Sequence, residues 1–452
     1  MKPVLALLLI ISVTFSCGKN RSDDPRSSFK ESSADLVKRE FLHAWNGYKR
    51  YAWGHDMLMP LSKSYRDWYG ESLLMTPVDA LSTMKLMGLD AEYADAKQLI
   101  FEKLSFDRNI EVQLFEVTIR TLGALLSAWQ TDGDPRFLEL ATDLADRLLP
   151  AFDSPTRMPY RFVNLRTGAV RDPLNNPAEI GTLLLEFGTL SRETGDERYY
   201  RAAKGAVVTM YKKRSPYDLV GTVIDIESGD WVNTESHISG RIDSYYEYLL
   251  KGWLMFGDKD LRDMWNASIK AIHAHLADDS PDELWYRRID MYTTEQLHTW
   301  FGALDAFFPG VLALSGDIPR ATRLQKSCYR MWTLQGIEPE MFDYKTRQIV
   351  SPAYMLRPEN IESAYYLYYY TGRERYLNMG REYLDSIIAF CKTDAGYTCL
   401  KNVITKEQGD DMESFFLAET LKYCYLLFSP RATLKLDRVV LNTEAHPLKR
   451  WH

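Results

Sequence analysis

The chain has 452 residues, with 55 Lys and Arg against 62 Asp and Glu, a formal net charge of −7. Hydrophobic residues make up 46% and charged residues 26%, which excludes a disordered or fibrous chain. So mild an acidity offers no electrostatic footprint for nucleic acid, and the length asks for two or three domains unless one large closed architecture absorbs it.

Lys2 precedes an apolar run, Val4 to Phe15, and then Ser16-Cys17-Gly18. The run is too short to span a bilayer but suits a signal-peptide core, so residues 1–16 are expected to direct export. A cysteine directly after the cut resembles a bacterial lipoprotein signal. That predicts a periplasmic or cell-surface protein held to the membrane by lipid on Cys17, with plain secretion as the alternative. Gly18 to Ser33 is polar and serine-rich and reads as a flexible tether, so the folded domain, 34–452, is expected to begin near Ala34. Cys328, Cys391, Cys399 and Cys424 are too few for a disulfide scaffold. Cys391 and Cys399 could pair in an oxidising compartment, or all four could stay as buried thiols. No Cys/His spacing resembles a zinc site.

Further along, a turn signature recurs at Gly88, Gly133, Gly195, Gly257, Gly316 and Gly372, at intervals of 45 to 62 residues. Most copies continue into an amphipathic run rich in Ala, Leu and charge, such as Phe137–Ala151. Glycine just past one helix and an acid opening the next is helix–turn–helix chemistry. The segment before the turn is helical too, with apolar residues at 115, 119, 122, 126 and 129. Seven hairpins of roughly 60 residues fill the chain beyond residue 16, which predicts a closed α/α toroid. Strand-like stretches are few, Val439–Leu441 being the clearest.

Against that period the acids fall in phase. Glu116, Glu179, Asp243 and Glu359 each precede their glycine by 13 to 17 residues, near the start of the first helix of a hairpin. If the first helices form the inner ring, all four gather at one mouth of the barrel. Acids near a helix start also favour the dipole. Polar neighbours at helical spacing (Glu116/Arg120, Asp243/Glu247, Glu359/Glu362) add a second polar stripe that needs somewhere wet to point. An interior of acids and aromatics suits a neutral sugar whose glycosidic bond is flanked by one protonated and one ionised carboxyl.

Six motifs occur in order: Phe115–Gly123 (FEVTIRTLG), Ala178–Thr182 (AEIGT), Asp243–Lys251 (DSYYEYLLK), Leu356–Glu359 (LRPE), Met412–Phe416 (MESFF) and Asn442–Pro447 (NTEAHP). From about Trp45 to Pro447 the chain resembles glycoside hydrolase family 47, the class I α-1,2-mannosidases. The resemblance implies an all-α (α/α)7 barrel with a C-terminal β-hairpin plugging one end. It implies a calcium-dependent, inverting exo-hydrolase that removes terminal α-1,2-linked mannose, here from high-mannose glycans or mannan fragments; a monomer is expected. Glu116 then matches the general acid, Glu359 the base that activates water, and Asp243 a further catalytic carboxylate that delivers a proton through water. Thr443 matches the residue that holds calcium with its hydroxyl and carbonyl. Asp79, Glu179, Glu247, Glu362, Glu413 and Glu444 match the acids around the water shell and the sugar, with Arg120 and Arg357 paired to them. Several positions depart from the family pattern. Ser82 stands where many members carry Asp, Leu304–Gly310 looks closer to the ER degradation-enhancing branch, and Ala303 and Ala306 occupy the places of the processing enzymes' His and disulfide Cys. His298 is nearby, as a surface or subsite residue. A weakly catalytic mannose-glycan-binding protein on the same barrel is the alternative function.

Overall fold

The computed structural model describes residues 25–452, so the export signal and Cys17 lie outside the described residues. Fourteen main helices pair into seven hairpins: α1 (Pro25–Tyr51), α2 (75–87), α3 (Asp90–Lys103), α4 (114–132), α5 (135–152), α6 (177–194), α7 (Glu197–Lys212), α8 (Asp243–Phe256), α9 (259–276), α10 (304–315), α11 (Ile318–Thr333), α12 (Glu359–Thr371), α13 (Arg375–Cys391) and α14 (416–428). The even-numbered helices touch one another in chain order from α2 to α14, and α14 returns to α2. Each odd-numbered helix backs onto an even one, with α1 covering α14. The result is a closed (α/α)7 barrel with an inner and an outer ring.

The two rings differ in sequence as their surroundings demand. Inner α8 is buried without a break from Ser244 to Gly252, and α10 from Phe308 to Ala313. Outer α5 buries only Phe137, Ala141, Leu144, Ala145 and Leu148 in its helix, a single stripe at helical spacing. Each leucine or phenylalanine so enclosed contributes roughly 2 kcal/mol. The six turn glycines all take positive φ, from 66° to 94°, and close their inner helices. Asp134, Asp196, Asp258 and Asp317 then cap the following outer helices by accepting a backbone N–H. Because every such turn lies at one end, the inner helices all start at the other. That end is the mouth.

Connections at the mouth carry short strands, in eight of the nine antiparallel sheets of two or three strands found among the described residues. Strand content is therefore larger than the sequence suggested, because strands of two or three residues are too short to show alternation. In four three-stranded sheets the strand leading into an inner helix pairs with a hairpin that follows the next outer helix, as Glu111–Gln113 does with Phe162–Asn164. The hairpin loops repeat one device: Asn164, Asp225, Asp290, Asp343 and Asn402 accept N–H groups two and three residues on.

The opposite end is plugged by a β-hairpin, Val439–Leu441 paired with Pro447–Lys449. Its tip climbs the barrel axis. Asn442 donates to the Ile119 carbonyl at 2.9 Å and to Glu186 Oε1 at 2.7 Å, and Lys422 Nζ donates to the Ala445 carbonyl at 2.7 Å. A Cβ on Gly123 would lie 2.7 Å from Asn442 Nδ2, so α4 needs glycine where the tip passes.

Residues 25–33, expected as tether, instead form the first turns of α1. Phe29 meets Phe428 edge-on at 6.1 Å, and Lys30 Nζ donates to the Ser429 carbonyl at 3.0 Å. The inward stripe 29, 33, 37, 41, 45 includes Ser33, which is fully buried, and this polar member hides the periodicity. All four described cysteines are buried free thiols.

Candidate active site

A cavity of about 260 Å3 opens at the mouth and runs down the barrel axis. Glu116 and Arg120 of α4, Glu179 of α6, Asp243 and Glu247 of α8, Arg357, and Glu359 and Glu362 of α12 line it, and Thr443 and Glu444 of the hairpin tip close it below. The sequence predictions thus converge, with two exceptions. Asp79 is fully buried behind the wall, where Arg120 lies 3.6 Å from it. Glu413 lines an adjoining hollow of about 490 Å3 with Arg66, Trp68 and Tyr69, which shares Glu116, Arg120 and Arg357 with the cavity.

Local backbone strain aims these groups. Leu74, Arg241 and Leu356 take left-handed φ of 56°, 75° and 61° just before α2, α8 and α12. Each costs roughly 1 kcal/mol and is held by its neighbours, as where Thr420 donates to the Leu356 carbonyl at 2.7 Å. The helix widens to π geometry at Val117–Leu122 and Phe416–Thr420. The extra residue in the turn re-phases Arg120 and Glu419 toward the axis.

The arginines set the electrostatics. Arg120 Nε donates to Glu116 Oε2 at 2.8 Å, its Nη1 pairs with Glu444, and it faces the Trp68 and Phe415 rings. Arg357 forms a bidentate pair with Glu340, both contacts 3.0 Å, and Arg161 does the same with Glu179 at 2.8 and 2.9 Å. Glu247 pairs with buried Lys251, and Glu362 accepts from Tyr423 Oη at 3.0 Å. Asp243 and Glu359 touch the cavity but are otherwise enclosed, and burial, with neighbouring acids, pushes each up to about 7. Glu359 Oε2 has no hydrogen-bond partner among the described residues. Burial likewise raises Glu362 to about 8, and lifts Glu419 and Glu444 well above the usual range. Burial works the same way on Asp79, but His446, Ser414 and Arg120 outweigh it and hold that carboxyl low.

At the floor, Thr443 N–H donates to Tyr248 Oη at 3.2 Å, and Tyr248 donates to Glu186 Oε1 at 2.7 Å. Among the described residues no three His, Cys, Asp or Glu side chains stand close enough to hold a metal directly. A cation seated on Thr443 would therefore complete its shell with water and ligand oxygens. The surplus of buried, mutually repelling carboxyls, all of them oxygen donors, fits a hard divalent ion.

Sequence reasoning missed Glu419, which lines the cavity. Its signal was an acid and a lysine, Glu419 and Lys422, inside the apolar run Phe415–Leu427. Of the departures, Ser82 Oγ lies 3.2 Å from His446 Nδ1, a ring that also contacts Asp79 at 3.1 Å. Ala303 and Ala306 are fully buried in packing. His298 stacks on Trp300 at 3.9 Å on a rim strand and does not line the cavity.

A closed double ring of helices around a blind, carboxylate-lined pit defines an (α/α)-barrel carbohydrate enzyme. Residues 40–450 match the sequence profile of Glycosyl hydrolase family 47, and the chain belongs to that family of glycoside hydrolases. It is 34% identical to Alpha-mannosidase I MNS5 of Arabidopsis thaliana, over 99% of this chain and 83% of that protein. It is 39% identical to the Endoplasmic reticulum mannosyl-oligosaccharide 1,2-alpha-mannosidase of Homo sapiens, over 91% of this chain and 63% of that protein. The solved alpha-1,2-mannosidase from Trichoderma reesei superimposes with a TM-score of 0.87 at 29% identity, over 93% of this chain and 99% of its own.

Proposed function

We propose that this glycoside hydrolase is an α-1,2-mannosidase that removes terminal mannose from mannose-containing oligosaccharides, one residue at a time, with inversion and with calcium. One observation carries the reading: Glu116, Asp243 and Glu359 line a single cul-de-sac floored by Thr443. A blind pit admits a chain end and excludes a chain interior, which supports exo action. The adjoining hollow around Arg66, Trp68 and Tyr69 offers room for the rest of the glycan.

In this mechanism Glu359 accepts a proton from water while the water oxygen bonds to the anomeric carbon. The bond from that carbon to the departing sugar breaks, and the departing oxygen takes a proton from Glu116 or, through water, from Asp243. Attack opposite the leaving group converts an α-linkage into β-mannose, and requires acid and base about 6.5–9.5 Å apart to leave room for water. A base near 7 is half ionised at neutral pH, a sound compromise between availability and strength. Arg120 and Arg357 hold carboxylates in register, and Phe415 offers an apolar face to a sugar ring. Thr443 would hold calcium through its hydroxyl and carbonyl. When bound, calcium supplies fixed positive charge that offsets carboxylate repulsion and orients sugar hydroxyls.

Export with a lipid on Cys17 is part of the same proposal, and its support is the sequence of residues 1–17. No helix among the described residues is long and apolar enough to cross a membrane. The test of function is a Man9 glycan incubated with purified protein, with and without EDTA, and followed by proton NMR. Mannose should be released first as the β anomer, and EDTA should abolish release. Early α-mannose would refute inversion, full activity in EDTA would refute the calcium requirement, and binding without monosaccharide would make the protein a glycan binder.

A further inference from the structure

At the plugged end one turn of the repeat opens with a base. Asp134, Asp196 and Asp317 follow their turn glycines and pair with Arg136, Arg198 and Arg320. Gly372 is instead followed by Arg373. Near it lie Arg431, Lys435 and Arg438 from the loop after α14, and further in Lys449 and Arg450 from the end of the hairpin, which bond Gln130 and the Leu254 carbonyl. They share one face. Arg431 covers the Tyr369 ring at 4.4 Å, the Leu436 N–H reaches Tyr369 Oη at 3.2 Å, and the Arg450 N–H donates to the Arg438 carbonyl at 2.9 Å. Arg450, Arg431 and Asp437 all act on exposed Tyr370. All of the bases except half-buried Arg450 are exposed. Among the described residues Arg373, Arg431, Lys435 and Lys449 have no carboxylate partner. Only Glu374 and Asp437 offset them in those loops, so the face is strongly positive on a chain whose net charge is −7.

The N-terminus points to the occupant. Arg26, at the start of α1, donates to the Gly372 carbonyl at 3.3 Å, so the described chain begins on this same face. Only Gly18 to Asp24 separate it from Cys17, a reach of no more than about 25 Å. Glu359 lies at the far end of α12, about 20 Å away. We infer that this basic face docks on anionic phospholipid headgroups, so that the plugged end rests on the bilayer and the mouth opens away from it. Bases near such a surface each add to binding, and one acyl signal gains permanence from a polybasic patch. The capping acids at the same end, Asp134, Asp196, Asp258 and Asp317, are each paired with a neighbouring base and so oppose the docking little. The orientation rests on the lipid-anchor reading; the headgroup contact does not.

The experiment uses the chain from residue 18 onward, without lipid, since the barrel closes entirely within residues 25–452. It is sedimented with vesicles of equal phosphatidylglycerol and phosphatidylcholine, and with phosphatidylcholine alone. The expected result is at least tenfold stronger binding to the anionic vesicles, weakening as salt is added. The triple variant R431E/K435E/R438E should lose that preference and keep wild-type hydrolysis and circular dichroism. Equal binding to both vesicles, or a variant that binds as wild type does, overturns the inference. So does a salt-sensitive dimer that forms in place of vesicle binding, because the face would then belong to an acidic surface of a second copy. The mass of the Cys17 peptide in the mature protein tests the anchor separately: unmodified Cys17 with vesicle binding intact removes the orientation and leaves the docking face.

Discussion

The two ends of the barrel use the same side chain for opposite purposes. At the plugged end Asp134 and Asp196 cap outer helices, and a neighbouring arginine, with a backbone N–H, holds each carboxyl below its usual range. At the mouth Asp243 and Glu359 also begin helices, but enclosure pushes them up to about 7. What separates them is the ring they belong to. An acid opening an outer helix faces solvent and stays ionised, and one opening an inner helix faces other acids across a narrow pit. For these four acids, the ring they belong to decides whether the carboxyl is held below its usual range or pushed up toward neutrality.

The sharpest way to break this comparison is at Glu359. Glu359→Gln should lower kcat by about 10³-fold or more while the thermal midpoint stays within a few degrees of wild type. A rate within a factor of ten of wild type would remove the base assignment. Next comes acidity. Glu359 must be ionised and a second carboxyl protonated, so kcat/KM of the protein should trace a bell whose maximum lies near neutrality.

Stability should follow the same groups. Glu359, Asp243 and Glu362 bind protons more tightly folded than unfolded, so their contribution is complete below the unfolded pKa and is lost as pH rises through about 7 and 8. His446, depressed to about 4, contributes fully above its unfolded value and adds no slope there. Without calcium the thermal midpoint should therefore fall between about pH 6.5 and 8, and calcium should flatten that fall. A midpoint that rises across this window would contradict the picture.

A smaller effect is expected at the tip of the plug. Asn442→Ala deletes the side chain that bonds Ile119, Glu186, Glu444 and His446, at a cost of about 3 kcal/mol, read as a lower thermal midpoint and weaker calcium-induced stabilisation. Smallest of all is the exposed end. Arg136→Ala removes a solvent-facing partner of Asp134 and should change neither kcat nor the thermal midpoint beyond measurement error.

The turn glycines and the in-phase acids were legible because both follow from helix geometry: a left-handed residue must end each inner helix, and what precedes it by four turns must lie at the mouth. The rim was not. Its loops begin Asn164-Leu-Arg-Thr, Asp225-Ile-Glu-Ser, Asp290-Met-Tyr-Thr, Asp343-Tyr-Lys-Thr and Asn402-Val-Ile-Thr, a second copy of the period written in side-chain turns that hydrophobic patterning cannot detect. Glu419 escaped for a related reason. It lies six residues after Glu413, off the i, i+3 or i+4 spacing that marks the other acids, and it sits within a π turn. Asp79 was read as a group around the sugar, yet it sits one layer behind, because sequence gives the helix face of a residue but not its depth along the radius.

The hairpin that floors the pit has a consequence for biogenesis. Thr443 and Glu444 leave the ribosome after the fourteen described helices, and α1, the first of these, is the outer partner of α14, the last. A nascent chain halted before residue 443 lacks the floor of the pit, and one halted before α14 lacks the seal of the ring as well. On the proposed mechanism hydrolysis waits for completed synthesis, and prematurely terminated copies are expected to be silent.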